Sequence, residues 1–493
     1  MDPFAIFPPE LHRLTVQHLD RKTIVACALV NRNWYRLFCP SVWETVAIAT
    51  PSQFEAFEAS VNSGALSLHG HLISTLKTEN YGVVEMLVAN GAAACTNLTQ
   101  LDVAFKRLRK DRTNGMQLPL SQIFSALPAS VDHLRLDGNI SFILSNNDEA
   151  WDELYEQDLA SAIRETDDGP RSDLPTLKLR KLELLELVQG GVFLLETLKR
   201  SPLLERLAFD DALYALYLGG NEELSDILRD HCPALTTLRM DLEFMEDEFQ
   251  ARLVEGASTK GWKHLAFSGE GFGPLTEAAI MKHIGSLESV HLEIGLGFPS
   301  SAIQMLFSSA PNLKSFRKVC PSFAVADVRL DATDMIQSPW VCHSLEELQA
   351  SISGVPRPDL TARTNGRPLT GPLHEGMSME PSYTVQRQVY AQLGKLTKLR
   401  ELVLSVSLES ARQRHAEDLS DYEYEAEGVY YDPSLSQVER QYECLSFTLE
   451  SGLDLLRDLK QLQVIDLSNM EVGIDGEAEQ RWVKKHWPLV RQA

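Results

Sequence analysis

Leu235-Thr-Thr-Leu238-Arg-Met240, followed 27 residues later by Trp262-Lys-His-Leu265-Ala-Phe267 and 25 after that by Leu287-Glu-Ser-Val290-His-Leu292, is the stretch whose reading decides the fold. Each string runs apolar, two mostly polar, apolar, one intervening, apolar. Copies lie upstream at Leu98-Thr-Gln-Leu101-Asp-Val103, Val131-Asp-His-Leu134-Arg-Leu136, Leu179-Arg-Lys-Leu182-Glu-Leu184 and Leu204-Glu-Arg-Leu207-Ala-Phe209. Others follow downstream at Leu313-Lys-Ser-Phe316, Leu345-Glu-Glu-Leu348, Leu399-Arg-Glu-Leu402-Val-Leu404 and Leu462-Gln-Val-Ile465-Asp-Leu467, eleven in all. Alternation within the string sends its last two apolar residues to one face and the residue between them to the other, as a half-buried strand requires.

Between copies lie amphipathic segments such as Glu223 to Cys232, where Leu224, Ile227 and Leu228 recur at helical spacing. Pro233 and Pro311 then close such segments just before the next string, and proline cannot continue a helix. One strand and one helix per unit is the pattern of the leucine-rich repeat. The expected fold class is α/β: a leucine-rich-repeat solenoid with a curved parallel sheet and helices on the convex side. Each coil buries its leucines only against its neighbours, so stability comes from stacking.

Strand residues pointing away from the leucines form the concave face, the expected seat of a protein target. They are Asp102, Arg135, Glu183, Arg239, His291 and Asp466, flanked by His133, Arg206, Asp241, His264 and Glu293. A broad face with both charge signs suits a protein partner better than a small molecule.

The repeat spacing stretches at two expected insertions. Residues 354–382 are rich in Gly and Pro and read as a long loop, with Arg357, Arg363 and Arg367 as locally basic contact elements. A second insertion near 410–435 holds the acidic run Glu417-Asp-Leu-Ser-Asp-Tyr-Glu-Tyr-Glu-Ala-Glu427. A C-terminal helix over 477–488, with Trp482 and Trp487, is expected to cap the last coil.

The 493 residues carry 46 basic and 69 acidic side chains, a formal charge of −23, with 44% hydrophobic and 23% charged residues. Such a field repels phosphate backbones and anionic lipid, so no nucleic-acid or membrane partner is expected. The densest basic run, Lys106 to Arg112, is one short segment. No apolar run approaches a membrane span and the first residues lack a basic leader, so the expected compartment is cytoplasmic and/or nuclear. Seven scattered cysteines without metal spacing read as reduced packing residues, and neither a metal nor a cofactor is expected. An acidic frame around a mixed-charge face suggests a target with a basic rim.

Upstream of the repeats the pattern changes. Pro8, Pro9 and Glu10 open a first helix, Asp20 caps a second, and Ile24, Cys27, Ala28 and Val30 lead toward Trp34. Some fifty residues in three short helices bury too little to stand alone, and are expected to bind a partner. This segment resembles the F-box, whose pattern is met at Pro8/Glu10/Leu11, Leu19, Ile24/Cys27/Val30/Trp34 and Pro40/Trp43, with Thr15 where the family generally has Ile or Leu. The domain reading is therefore F-box over 1–50 and leucine-rich repeats over 51–493. The whole chain resembles fungal F-box and leucine-rich-repeat proteins, and its ending at Arg481, Trp482, Trp487 and Pro488 resembles their tail. The resemblance implies a substrate receptor of an SCF-type ubiquitin ligase. Its F-box would dock the Skp adaptor, and through it a cullin-RING ligase, by Pro8, Pro9, Glu10, Leu11, Leu14, Leu19, Val30, Trp34, Leu37, Pro40 and Trp43. A ligase-independent interaction scaffold is the alternative.

Other motifs point to no chemistry. Gly269-Glu-Gly271-Phe-Gly273-Pro274 reads as a coil turn, because Pro274 is expected to separate the glycines from any helix. His69 and His71 lack a third ligand, and no nucleophile elbow is present. No catalytic residue is expected.

Overall fold

The computed structural model describes residues 9–87, 94–104, 127–137, 176–185, 191–209, 221–240, 246–256, 260–267, 271–292, 298–318, 329–358, 363–364, 367–368, 378–404, 445–467 and 476–490. The chain divides into two compact units, Met1–Leu235 and Thr236–Ala493. The run Lys106 to Arg112 and the insertion near 410–435 with its acidic core fall outside the described residues.

The first unit opens with α1 (Pro9–Gln17), α2 (Arg21–Ala28) and α3 (Arg32–Glu44), which runs through Pro40, then β1 (Thr45–Ile48), α4 (Pro51–Asn62), α5 (Ala65–His69), β2 (Thr75–Thr78) and α6 (Tyr81–Met86). It continues with β3 (Gln100–Ala104), β4 (His133–Asp137), β5 (Lys181–Leu185), α7 (Gly191–Lys199), β6 (Arg206–Phe209) and α8 (Asn221–His231). Strands β1 to β6 are parallel and lie in chain order. The second unit holds β7 (Thr237–Met240), α9 (Asp247–Glu255), β8 (His264–Phe267), α10 (Pro274–Met281), β9 (Ser289–Leu292), α11 (Ser300–Ser309) and β10 (Ser315–Lys318). After these come β11 (Arg329–Asp331), α12 (Ala332–Gln337), β12 (Glu347–Gln349), β13 (Ser351–Ser353), β14 (Arg363–Thr364), β15 (Arg367–Pro368), α13 (Glu380–Leu393), β16 (Glu401–Val403), β17 (Val464–Asp466) and α14 (Glu477–His486). Here β7, β8, β9, β10, β12, β16 and β17 form the parallel ladder. Each unit is thus a solenoid-like α/β array.

Eleven of these ladder strands coincide with the eleven recurring strings, and the other two are β1 and β2. Those two strands have weaker versions of the same pattern. Ile73-Ser-Thr-Leu76-Lys-Thr78 ends in threonine, and Trp43-Glu-Thr-Val46-Ala-Ile48 begins in tryptophan. The ladder therefore starts at Thr45, inside the segment 1–50.

The strand residues alternate as the string demands: Leu101 and Val103, Leu134 and Leu136, Leu182 and Leu184, and Leu238 and Met240 are all buried. The chain enters several of the strands through a turn in which the first apolar residue donates its N–H to the carbonyl of a small residue three places back. Leu98 to Cys95, Leu235 to Cys232 and Leu345 to Cys342 (3.0–3.1 Å) are examples. Ser201 and Ala310 fill the same place. The position is fully buried and small, which explains three of the cysteines. Burial pushes their thiols up, to about 11 for Cys95 and about 12 for Cys232 and Cys342, so they pack as neutral, unreactive groups.

The segment 354–382 is less of a loop than its composition suggests. Arg363–Thr364 and Arg367–Pro368 pair as a small antiparallel ribbon, and α13 begins at Glu380. Arg357 is buried and so is not the exposed contact element expected. Gly354 has a φ of +70° and lies so close to the Asp331 side chain that a Cβ would collide with it. At the C-terminal end Trp487 is buried beneath α14, its indole N–H donating to the Leu456 carbonyl at 3.3 Å. Among the described residues, no helix is long and apolar enough to cross a membrane.

Replacing fully buried Leu238 by alanine should cost about 2–5 kcal/mol, whereas Thr237→Ala on the outward face should cost less than about 1 kcal/mol. Denaturant unfolding of the two variants measures the difference. Equal costs would mean that the alternation does not carry the core.

Candidate interaction surfaces

Helices α1 to α3 enclose a small core of Ile24, Ala28 and Phe38, against which Val16, Leu19, Cys27, Trp34, Leu37 and Val42 pack. Asp20 caps α2 by accepting the Thr23 N–H at 2.7 Å, which holds its carboxyl below the ordinary 3.8. Asn31 caps α3 through the N–H groups of Asn33 and Trp34 at 2.9 and 3.0 Å. Thr15 donates its hydroxyl to the Leu11 carbonyl at 2.8 Å, so its polar group is satisfied within α1.

Outside that core lie Leu11 (47% exposed), Leu14 (53%), Leu29 (78%) and Val30 (60%), with Val25 and Tyr35 also exposed. Four of these large apolar side chains lie on the three short helices and two, Leu29 and Val30, directly follow α2, and water solvates such exposed apolar groups poorly. The other expected docking residues lie elsewhere. Leu19, Trp34 and Leu37 pack against the core, and Pro40 is exposed within α3. Pro9 and Glu10 lie in the first turn of α1, and Pro8 falls outside the described residues. The exposure of Leu29 and Tyr35 was not legible in the sequence, because exposure at a helix end has no periodicity of its own.

Residues 4–41 match the family model for the F-box domain. The segment is an F-box. No curated protein matches the chain. The F-box leads directly into the first coil. Trp43 stacks on His69 of α5 with ring centres 5.3 Å apart, and His69 is engaged at Nε2 by the Tyr35 hydroxyl (3.1 Å) and approached at Nδ1 by Cys39 Sγ (3.9 Å). Both His69 ring nitrogens are therefore in use, which accounts for one member of the His69/His71 pair.

The second candidate surface is the outward face of the strands. In the first unit Lys77, Asp102, Arg135 and Glu183 stand opposite one another on β2 to β5. Asp102 lies 3.9 Å from both Lys77 and Arg135, Arg135 donates to Asp137 at 2.8 Å, and Glu183 sits 2.9 Å from Lys181 and 3.6 Å from His133. Burial would raise the Glu183 carboxyl, but the Lys181 hydrogen bond and the charges of Lys181, His133 and Arg135 outweigh it and hold it below its ordinary value. Arg206 on β6 is exposed.

In the second unit Arg239, His264 and His291 share the corresponding face, while Asp241 and Glu293 fall outside the described residues. His264 bonds the Ser289 hydroxyl at 2.8 Å and His291 the Ser315 hydroxyl at 3.2 Å. Ser315 donates to Glu347 at 2.7 Å, and Arg317 joins Glu347 and Glu401 at 2.8 and 2.7 Å. Because a carboxylate only accepts, the serine proton points to Glu347 and His291 Nε2 donates to the serine oxygen. In that direction the imidazole is the donor and not a base toward Ser315. Arg317 escaped the sequence reading because the string at Leu313 stops at Phe316, and extending that string by one residue reaches it. Ser315, Glu347 and Glu401 each stand in the third place of a string, one residue before the central apolar position, where His133 and His264 were read as flanking residues.

One set-aside motif behaves differently from expectation. The helix α10 begins at Pro274, directly after Gly273. Its first N–H groups are nevertheless taken, since Asp247 of α9 accepts from Leu275 at 3.0 Å and Thr276 at 2.8 Å. Burial works against the Asp247 charge, yet these N–H donors hold its carboxyl below the ordinary 3.8. The place of an anion is filled by the protein's own carboxylate.

Burial holds His291, His133 and His283 below the ordinary 6.5, with Arg317 beside the first and Lys181 beside the second adding to the effect. A depressed histidine takes its proton more readily in the unfolded chain, so stability is full above about pH 6.5 and falls as the pH drops below it. Melting temperature should decline from pH 7.5 to pH 5.5, and His291→Gln should flatten the slope. An unchanged slope in that variant would show that His291 contributes nothing to it.

Proposed function

We propose that this chain is the substrate-recognition subunit of an SCF-type E3 ubiquitin ligase. The observation that carries the reading is the exposure of Leu11 and Leu14 on α1 and of Leu29 and Val30 directly after α2, all within the matched F-box segment. Helices this short gain by burying such a surface against a partner, and F-box domains typically bind the Skp adaptor of SCF complexes. The recurring strings are leucine-rich repeats, and their outward strand face holds a target protein. No group of this chain takes part in ubiquitin transfer, which belongs to the other subunits of the cullin-RING ligase. The chain raises the effective concentration of the target near the charged ubiquitin carrier. It works in the cytoplasm, the nucleus or both.

The test is a binding titration of the full chain against the Skp adaptor. Leu14→Asp and Val30→Asp change exposed positions, so folding should survive, and each should weaken binding about 30-fold, equivalent to about 2 kcal/mol at an interface hot spot. Wild-type affinity in the double variant would remove the adaptor role. Adaptor binding combined with target levels that do not respond to loss of cullin would instead favour the ligase-independent scaffold.

A further inference from the structure

The strand face of the first unit is layered by charge. Its carboxylates are sunk, with Asp102 at 19% exposure, Asp137 at 22% and Glu183 at 18%. Its cations stand above them, with Lys77 at 51%, Arg135 at 38% and Lys181 at 33%. Arg206, in register with Lys181 on the next strand, is exposed and has no ion-pair partner among the described residues. The reason is side-chain length: short Asp stems lie against the sheet, while Lys and Arg carry their charge outward on long stems. An approaching partner therefore meets ammonium and guanidinium groups first.

We infer that this face docks an acidic, extended segment of the target protein, with Lys77, Arg135, Lys181 and Arg206 as contacts and Asp102, Asp137 and Glu183 as the counter-ions that orient them. The inference rests on the reading that the strand face holds the target. It reverses the basic rim suggested by the formal charge of −23, because charges farther away than about 8 Å are screened at physiological salt and the local layering decides. Side-chain carboxylates fit better than phosphate groups. A phosphate dianion favours clustered, free guanidinium groups, whereas here Arg135 and Lys181 are already shared with carboxylates and Arg206 stands alone. From β2 to β6 the cations span about 19 Å, the reach of about six extended residues.

The test uses the full chain, purified with the Skp adaptor, and a labelled twelve-residue peptide of alternating Glu and Ser. The Glu-Ser peptide should bind at least tenfold tighter than the matching Lys-Ser peptide, and raising salt should weaken it. Arg206→Glu should cost at least tenfold, while Glu205→Gln, on the residue before the strand, should change nothing. Preference for the Lys-Ser peptide, no binding of either, or indifference to Arg206→Glu would overturn the inference. So would a phosphoserine peptide that binds more than tenfold tighter than the Glu-Ser peptide, which would assign the face to phosphate. If the adaptor fails to co-purify, the receptor reading falls while peptide binding by the chain alone still reports on the face. If the adaptor binds and the Glu-Ser peptide does not, only the acidic class is lost.

Discussion

Each coil hands a single backbone carbonyl to the next. Ser74 accepts from the N–H groups of Thr99 and Gln100, Thr99 from Asp132 and His133, Asp132 from Arg180 and Lys181, and Arg180 from Glu205 and Arg206, all at 2.7 to 3.0 Å. The second unit repeats the device, with Lys263, Glu288, Lys314, Glu346 and Arg400 as acceptors. This shared acceptor sits just before every strand and sets where the strand begins. The register that follows brings each leucine over its counterpart below and each outward side chain over another outward side chain. Without it the buried apolar stripe and the charged face would both slip, since a one-residue shift exchanges the two faces.

The leucine periodicity made the strands legible because two requirements coincide in it: the alternation of a half-buried strand and the stacking of identical positions. Where one requirement relaxed, the signal faded. Thr78 ends its string with a hydroxyl, and that hydroxyl receives the Asn80 N–H at 3.0 Å, so a polar group serves where the pattern wants an apolar one. The outward-facing strand residues of the first unit were legible from register alone. Their exposure was not, because sequence gives the sign of a charge and leaves out its height above the sheet. Of the exposed apolar residues of the F-box, Leu11, Leu14 and Val30 were legible in the sequence and Leu29 was not, because Leu29 is exposed by where α2 stops, just before Asn31 caps the next helix.

The two outward faces solve the problem of charge in different ways. In the first unit, cations and carboxylates pair within and between strands, the cations more exposed than the carboxylates. In the second, His291 and the Ser315 hydroxyl carry hydrogen bonds toward Glu347, and Arg317 ties two glutamates together. Fixed donors and acceptors of this kind lose little freedom when a partner arrives, so they favour selectivity over raw attraction.

Trp43 belongs to two patterns at once. It closes the Pro-x-x-Trp signature of the F-box, and it stands in the leading apolar position of the string that forms β1. The F-box and the first coil therefore share a helix end and have no linker between them. Cutting the chain after residue 50 to remove the F-box would also strip β1 from β2 and leave a raw sheet edge, which is a template for aggregation. The F-box of this chain is best altered by point changes on its exposed leucines, since its last helix runs straight into the first structural course.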